Sequence, residues 1–438
     1  MSRSPGIRLF LANRGLLVNS AFAMGLKVLS SVCLLGFNLL VVHHFQPEVA
    51  GEFFLCITLV LVASHIARFG VDNVAVRHVS VKSREQSRHE LDSLYSSAFL
   101  VTLCTSALIA ALLYVCAAPI AELLFSNPRM TSMIAIMGMA VPFYAICLLN
   151  SYVNQGLKRI FVHIISLNLG QVTLASLVLV IALRIVGLEA SKELLAACYV
   201  SGCALMMALS TLSTTGRISL SIRAVSLGTA MSLVRESLPL YVVALTQLVI
   251  VWSSQVFLGA WVAPEEVAVY TIAQRVAMLT SFALVAVNSV VAPRYAVLYH
   301  EGRLTELERI SKRSVRLMLA IATPLLLLML VFPGLILGIF GPAYTAGTLV
   351  LSVLALGQFV NVVTGSVGYL LQMSGHYREV RNNTLFAALV AVSLNVLLTP
   401  QFGSLGAAVA AAIAMSIVNL LGVWQVNRLL GFYTLKLS

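Results

Sequence analysis

Apolar residues run along this chain in stretches of about 20, the length at 1.5 Å per residue of a helix that crosses the hydrocarbon core of a bilayer. The stretches fall at 24–44, 50–68, 94–117, 131–151, 163–186 and 193–212, and again at 238–261, 266–292, 317–335, 346–373, 382–400 and 404–426. The pattern predicts an all-α, polytopic membrane protein with twelve transmembrane helices. On one side the connections are short, at 45–49, 118–130, 187–192, 262–265, 336–345 and 401–403, and none could fold as a separate domain. On the other side, 69–93 and 293–316 carry mixed charge at helical spacing and are expected to extend the flanking helices into water.

The basic residues sort with these connections. Of 28 Lys and Arg, 24 lie on the side of 69–93 and 293–316 or at the two ends, from Arg3, Arg8, Arg14 and Lys27 through Arg77, Lys82 and Arg84 to Arg428 and Lys436. Only Arg129, Arg184 and Lys192 lie on the other side, and Arg275 falls inside a span. Cytoplasmic connections of membrane proteins are enriched in Lys and Arg. The alternation therefore predicts cytoplasmic N- and C-termini. The basic N-terminus leads into an apolar run of about 20 residues without a small-x-small cleavage site, and is expected to be a retained span, not a signal peptide.

Composition narrows the class further. The 438 residues are 60% hydrophobic and 10% charged, with mean hydropathy +0.97, whereas a soluble domain carries about 25% charged residues. A soluble enzyme, a disordered chain and a secreted disulfide scaffold are all disfavoured. The net charge of +12 follows from the sorted connections, so nucleic acid is not an expected partner. The seven cysteines form no C-x-x-C pair, so neither a redox motif nor a zinc site is indicated. P-loop, dinucleotide, H-E-x-x-H and nucleophile-elbow motifs are missing as well, and neither a cofactor, a metal nor enzymatic catalysis is expected.

The two halves repeat. A shift of 217 residues places Pro47 on Pro264, Gly51 on Ala268, Phe53 on Tyr270, Arg77 on Arg294 and Gln155 on Gln372. Six spans in each half insert in the same orientation, and such repeats are common in transporters. We therefore expect an N-lobe at 1–212, a cytoplasmic interlobe linker at 213–237 and a C-lobe at 238–438, with a central cavity between the lobes.

Charge within a span is costly and points to function. Arg275 lies eleven residues after Pro264, about 16 Å along its helix, too deep to snorkel. It is either a cationic contact for substrate or a buried Arg bonded to carbonyls of neighbouring helices. Lys27, Arg68, Arg184 and Arg235 sit near span ends, where interfacial anchoring competes with a cavity role. No Asp or Glu lies in the middle of a span, and His65 and His163 are either titrating helpers or packing residues. Asn38, Asn150, Asn154, Asn168, Gln171, Gln247, Gln255, Gln358, Asn361 and Thr364 add neutral polar groups that either join helices or line a wet cavity. A positively charged, hydrogen-bonding lumen suits an anionic, hydroxyl-rich ligand. The candidate substrate-binding set is Arg275, Lys27, Arg68, Asn38, Gln255, Gln358 and Asn361.

Several runs resemble a known family. They are Leu238-Pro239-Leu240, Phe257-Leu258-Gly259, Glu266-Val267-Ala268-Val269-Tyr270 and the Y-x-x-A-x-R run Tyr270 to Arg275, followed by Ala292-Pro293-Arg294-Tyr295. Gly357-Gln358-Phe359-Val360-Asn361, Leu371-Gln372-Met373-Ser374-Gly375 and Pro400-Gln401-Phe402-Gly403-Ser404-Leu405-Gly406 continue the pattern, and Gly51-Glu52-Phe53 and Phe69-Gly70-Val71-Asp72 match its start. In order and spacing the chain is similar to bacterial polysaccharide transporters, the Wzx-like branch of the MOP exporter superfamily. The resemblance implies a two-lobed, MATE-like flippase in the bacterial inner membrane that moves saccharide units linked to undecaprenyl diphosphate. It places Arg275 in the family's cationic cavity and makes a polymerase and chain-length proteins of the same pathway expected partners. Many relatives carry an Asp in the seventh span, where this chain has Trp252-Ser253-Ser254-Gln255. A multidrug exporter of the same superfamily is the alternative, although it should have a deep carboxylate. A membrane glycosyltransferase or polymerase needs a sizeable external loop, and the longest here has about 13 residues, counted over 118–130.

Overall fold

The computed structural model of the protein describes residues 5–83 and 87–434. Arg3, Arg84 and Lys436 and the side chains of Arg8, Arg14 and Asn168, named above, lie outside the described residues. The chain is helical throughout: α1 (Pro5–His44), α2 (Pro47–Ala67), α3 (Val71–Lys82) and α4 (Arg88–Val115) open the first half. Two bent pairs follow, Pro128–Gly138 with α5 (Ala140–Gly156), turned by 41°, and Ile160–Leu167 with α6 (Gly170–Ile185), turned by 53°. Helix α7 (Lys192–Thr215) closes this half.

In the second half come α8 (Leu227–Trp261), α9 (Pro264–Ala277), α10 (Phe282–His300), α11 (Leu304–Val331), α12 (Thr348–Thr364) and α13 (Tyr377–Leu430). Among the described residues nine helices are long and apolar enough to cross a membrane, or up to eleven if each bent pair is one span. The 213–237 connection is helical at both ends, since α7 runs to Thr215 and α8 starts at Leu227. Ser226 caps α8, its hydroxyl accepting from the Thr229 N–H at 3.3 Å.

Two glycines shape the second half. Helix α13 has 54 residues, about 81 Å if straight, but it folds back on itself at Gly403 (φ 54°, ψ −134°) just after Pro400. Its two arms meet: the amides of Asn383 and Gln425 exchange hydrogen bonds of 2.8 and 2.9 Å. A Cβ on Gly406 would stand 2.3 Å from the Leu398 carbonyl oxygen. At Gly365 (φ 75°, ψ −156°) the helix expected to run from 346 to 373 stops, and a separate turn, Val367–Met373, follows. The positive φ there suits glycine, and a Cβ would come within 2.5 Å of Val315 Cγ2.

Burial divides the molecule in a way that positions the site. One hydrophobic core draws on both halves, with Phe37, Phe53, Met133, Tyr199, Leu258, Tyr270, Leu351 and Ala407 all buried in it. Towards the basic connections it gives way to two separate cores. One holds Val71, Val79, Leu94, Tyr95 and Leu149 of the first half, the other Val287, Tyr295, Met318, Leu370 and Val426 of the second. The halves share a core on the side of the short connections and have separate cores on the basic side, where α8 still touches α2 and α3.

The first half is tied internally by polar groups. Asn150, fully buried, accepts from the Tyr95 hydroxyl at 2.8 Å and donates to Ser210 and Thr211 at 3.1 and 2.9 Å. Asn154 donates to Thr214 at 2.7 Å and accepts from Arg159 at 3.0 Å. These amides join α4, α5 and α7. Asn150→Leu would leave the buried hydroxyls of Tyr95 and Ser210 and the half-buried one of Thr211 each short of a partner, and we expect a loss of stability of about 1–3 kcal/mol. Thermal unfolding of the purified protein in detergent measures it, and an unchanged midpoint would deny Asn150 this joining role.

Candidate functional site

Helix α9 begins with Pro264 at its first position, where the missing N–H costs nothing. It lies against α2 so closely that a Cβ on Gly51 would stand 1.7 Å from the Pro264 carbonyl oxygen. Two turns deeper, Gln255 of α8 bridges the halves. Its Oε1 lies 2.7 Å from the Thr58 hydroxyl of α2, and its Nε2 donates to Thr271 of α9 at 3.0 Å. Gln255 is thus a buried latch across the seam, where the sequence suggests a cavity wall. Beyond this seal α9 carries Arg275, half-buried. Among the described residues its guanidinium makes no hydrogen bond or ion pair, and its electrostatic neighbours are the hydroxyls of Tyr144 and Tyr199 from the first half. An unpaired cation at that depth is expensive unless an anion is brought to it.

Arg68 is placed differently. The chain breaks after α2 at Phe69 (φ 49°) and Gly70 (φ 72°) and starts again as α3. The break turns Asp72 back towards Arg68, which donates to its carboxylate and, through Nε, to the Ser64 carbonyl at 3.3 Å. The guanidinium lies 5.9 Å from the centre of the Tyr152 ring, and Phe69 packs on Tyr241 of α8 at 5.1 Å. Arg68 and Asp72 are 3% and 5% exposed, so Arg68 faces the protein interior, and the interfacial-anchor reading is corrected. Asp72 was missed because it falls in a polar connection. The Arg-x-x-x-Asp spacing was the available signal.

The pair lines an open cavity of about 330 Å³. Its first-half wall includes His65, Arg68, Asp72, Asn73 and Tyr152, and its second-half wall includes Gln247, Val251 and Trp252 of α8. Val251 is shared with a smaller space of about 60 Å³ lined by Gln274, Met278, Leu354 and Gln358. Tyr144 is an electrostatic neighbour of both Arg68 and Arg275. The cavity wall thus holds a neutralised ion pair, and Arg275 lies without an ion-pair partner among the described residues.

The other sequence candidates are spread out. Gln358 faces the smaller space. Asn361, one turn on, is half-buried and lines neither. Asn38 of α1 is 1% exposed, its Nδ2 without a partner among the described residues. Lys27 is exposed on α1, with His163 as an electrostatic neighbour. His163 Nδ1 lies 2.9 Å from the Ser151 hydroxyl, a packing arrangement, whereas His65 borders the cavity. Outside the spans, His78 of α3 bonds Glu236 of α8 at 2.9 Å. That bond and one from Ser232 hold the Glu236 carboxyl below its usual range.

Helices that share one core on the side of the short connections and carry separate cores on the basic side make a fold also seen in solved structures. A multidrug resistance MATE family transporter in its inward-facing conformation aligns with a TM-score of 0.73 at 13% identity, covering 92% of this chain and 94% of that one. The lipid II flippase MurJ in an inward closed conformation aligns with a TM-score of 0.74 at 13% identity, covering 94% and 87%. These likenesses are of fold. Residues 45–349 match the family of polysaccharide biosynthesis proteins, and the chain belongs to that family. The resemblance read from its motifs is borne out.

Two relatives come from Haloferax volcanii. The probable low-salt glycan biosynthesis flippase Agl15 is 27% identical over 171 residues, covering 39% of this chain and 36% of its own. The probable flippase AglR is 27% identical over 176 residues, covering 39% and 37%. The chain thus matches little more than a third of the length of either.

Proposed function

We propose that this protein is a flippase that carries a lipid-linked saccharide across the bacterial inner membrane for surface polysaccharide synthesis, with undecaprenyl diphosphate as the carrier. The observation that carries the reading is Arg275, an interior cation with no carboxylate partner among the described residues. A diphosphate supplies the missing charge, and a guanidinium offers forked donors matched to phosphate oxygens. The alternative, export of a cationic drug, is disfavoured because the cavity's carboxylate, Asp72, is already neutralised by Arg68. Cells deprived of this protein are expected to accumulate the lipid-linked saccharide on the cytoplasmic leaflet and to lose surface polysaccharide. Normal surface polysaccharide without accumulation would sink the proposal.

With both arms of α13 and each bent pair counted as crossings, the chain has twelve, and both termini lie on the cytoplasmic, basic side. The two halves act as lobes that close alternately on either face. In a chain freed of its seven native cysteines, thiols at His89 and Arg313 are expected to resist an impermeant reagent in intact cells, and one at Arg129 to react. The reverse pattern would overturn this orientation.

A further inference from the structure

The proposed flippase reading accounts for Arg275 but leaves the larger cavity without a task. Its chemistry differs from that of an anion site. Arg68 and Asp72 cancel in charge, and the Asp72 carboxylate and Ser64 carbonyl fix the guanidinium in place. Around them stand the amide of Gln247 and, on opposite walls, the rings of Tyr152 and Trp252, neither fully buried. The volume, about 330 Å³, is at the small end of ligand pockets, which span about 300–1,000 Å³.

Neutral sugars carry neighbouring hydroxyls, each both donor and acceptor, on a ring whose faces include apolar C–H groups. A carboxylate accepts from two such hydroxyls, while a guanidinium fork or a side-chain amide donates to them. An indole ring covers a C–H face and leaves its N–H to bond. An ion pair held within the wall supplies these groups without attracting a counter-ion.

We propose that the cavity bounded by Arg68, Asp72, Tyr152, Gln247 and Trp252 is a saccharide subsite, which takes the sugar next to the diphosphate while Arg275 takes the phosphates. This assignment rests on the flippase reading and adds to it a place where the glycan is told apart. Tyr144 is an electrostatic neighbour of both arginines.

The test uses the purified full-length chain and two probes, undecaprenyl diphosphate and undecaprenyl diphosphate carrying one hexose. The hexose-bearing probe is expected to bind about tenfold more tightly, the scale of one or two neutral hydrogen bonds. Trp252→Ala should bring the ratio of the two affinities close to one, and Trp252→Phe should restore part of it. Asp72→Asn should also reduce the ratio. Arg275→Ala should weaken both probes and keep the ratio. If both probes bind the unmodified chain equally, or Trp252→Ala keeps the ratio, the subsite is refuted and the flippase reading stands. If neither probe binds, the flippase reading fails and the subsite fails with it.

Discussion

Arg275→Ala is expected to reduce translocation per molecule about ten- to a hundredfold while the protein still inserts at normal abundance. The size follows from hydrogen bonds to a charged group, about 1.5–3 kcal/mol, with about 1.4 kcal/mol per tenfold. Arg275 is half-buried and unbonded to the described residues, so its removal strips no protein partner and should not unfold the helix. Arg275→Lys keeps the charge and loses the fork, and should retain part of the activity. Abundance and translocated product measured in the same cells separate this from a packing role, in which alanine would lower abundance and leave transport per molecule intact.

The second large effect is expected at Gly51. Its missing side chain lets α2 and α9 touch, and the atom in the way is a backbone oxygen of Pro264 that no rotamer change can move. Gly51→Leu should force the halves apart at the fused side, break the bond from Thr58 to Gln255 and stop transport. A thiol introduced at Thr271, fully buried in the seam, should become reactive to an impermeant reagent from the side of the short connections. If it stays shielded in the Gly51→Leu chain, the Gly51–Pro264 contact is not the seal.

Much of this was legible in the sequence because a bilayer constrains it. Apolar runs have to match the hydrocarbon thickness, and Lys and Arg keep to one side, so the helices and their order could be read directly. Arg275 stood out as a charge deep within an apolar run. The reversal at Gly403 was visible as a short break at 401–403, and it is what turns one 54-residue helix into two arms.

What could not be read depended on direction. The four-residue spacing of Arg68 and Asp72 hinted at a pair, but not that it would form across a break where Phe69, a residue with a side chain, joins Gly70 in the left-handed region. Tyr152 and Trp252 come from helices a hundred residues apart and looked like ordinary apolar packing. Gln255 and Gln247 lie on the same helix, yet one latches the seam and the other lines the cavity. Which face of α8 each occupies was set by the neighbours it meets.

The most direct measurement places the purified chain in sealed vesicles with labelled undecaprenyl diphosphate carrying one hexose, and follows how much of the label an impermeant reagent can reach. The account predicts that the protected pool becomes reachable with time in proportion to the protein present, and about ten- to a hundredfold more slowly with Arg275→Ala. A protected pool that stays constant, as in protein-free vesicles, would contradict it.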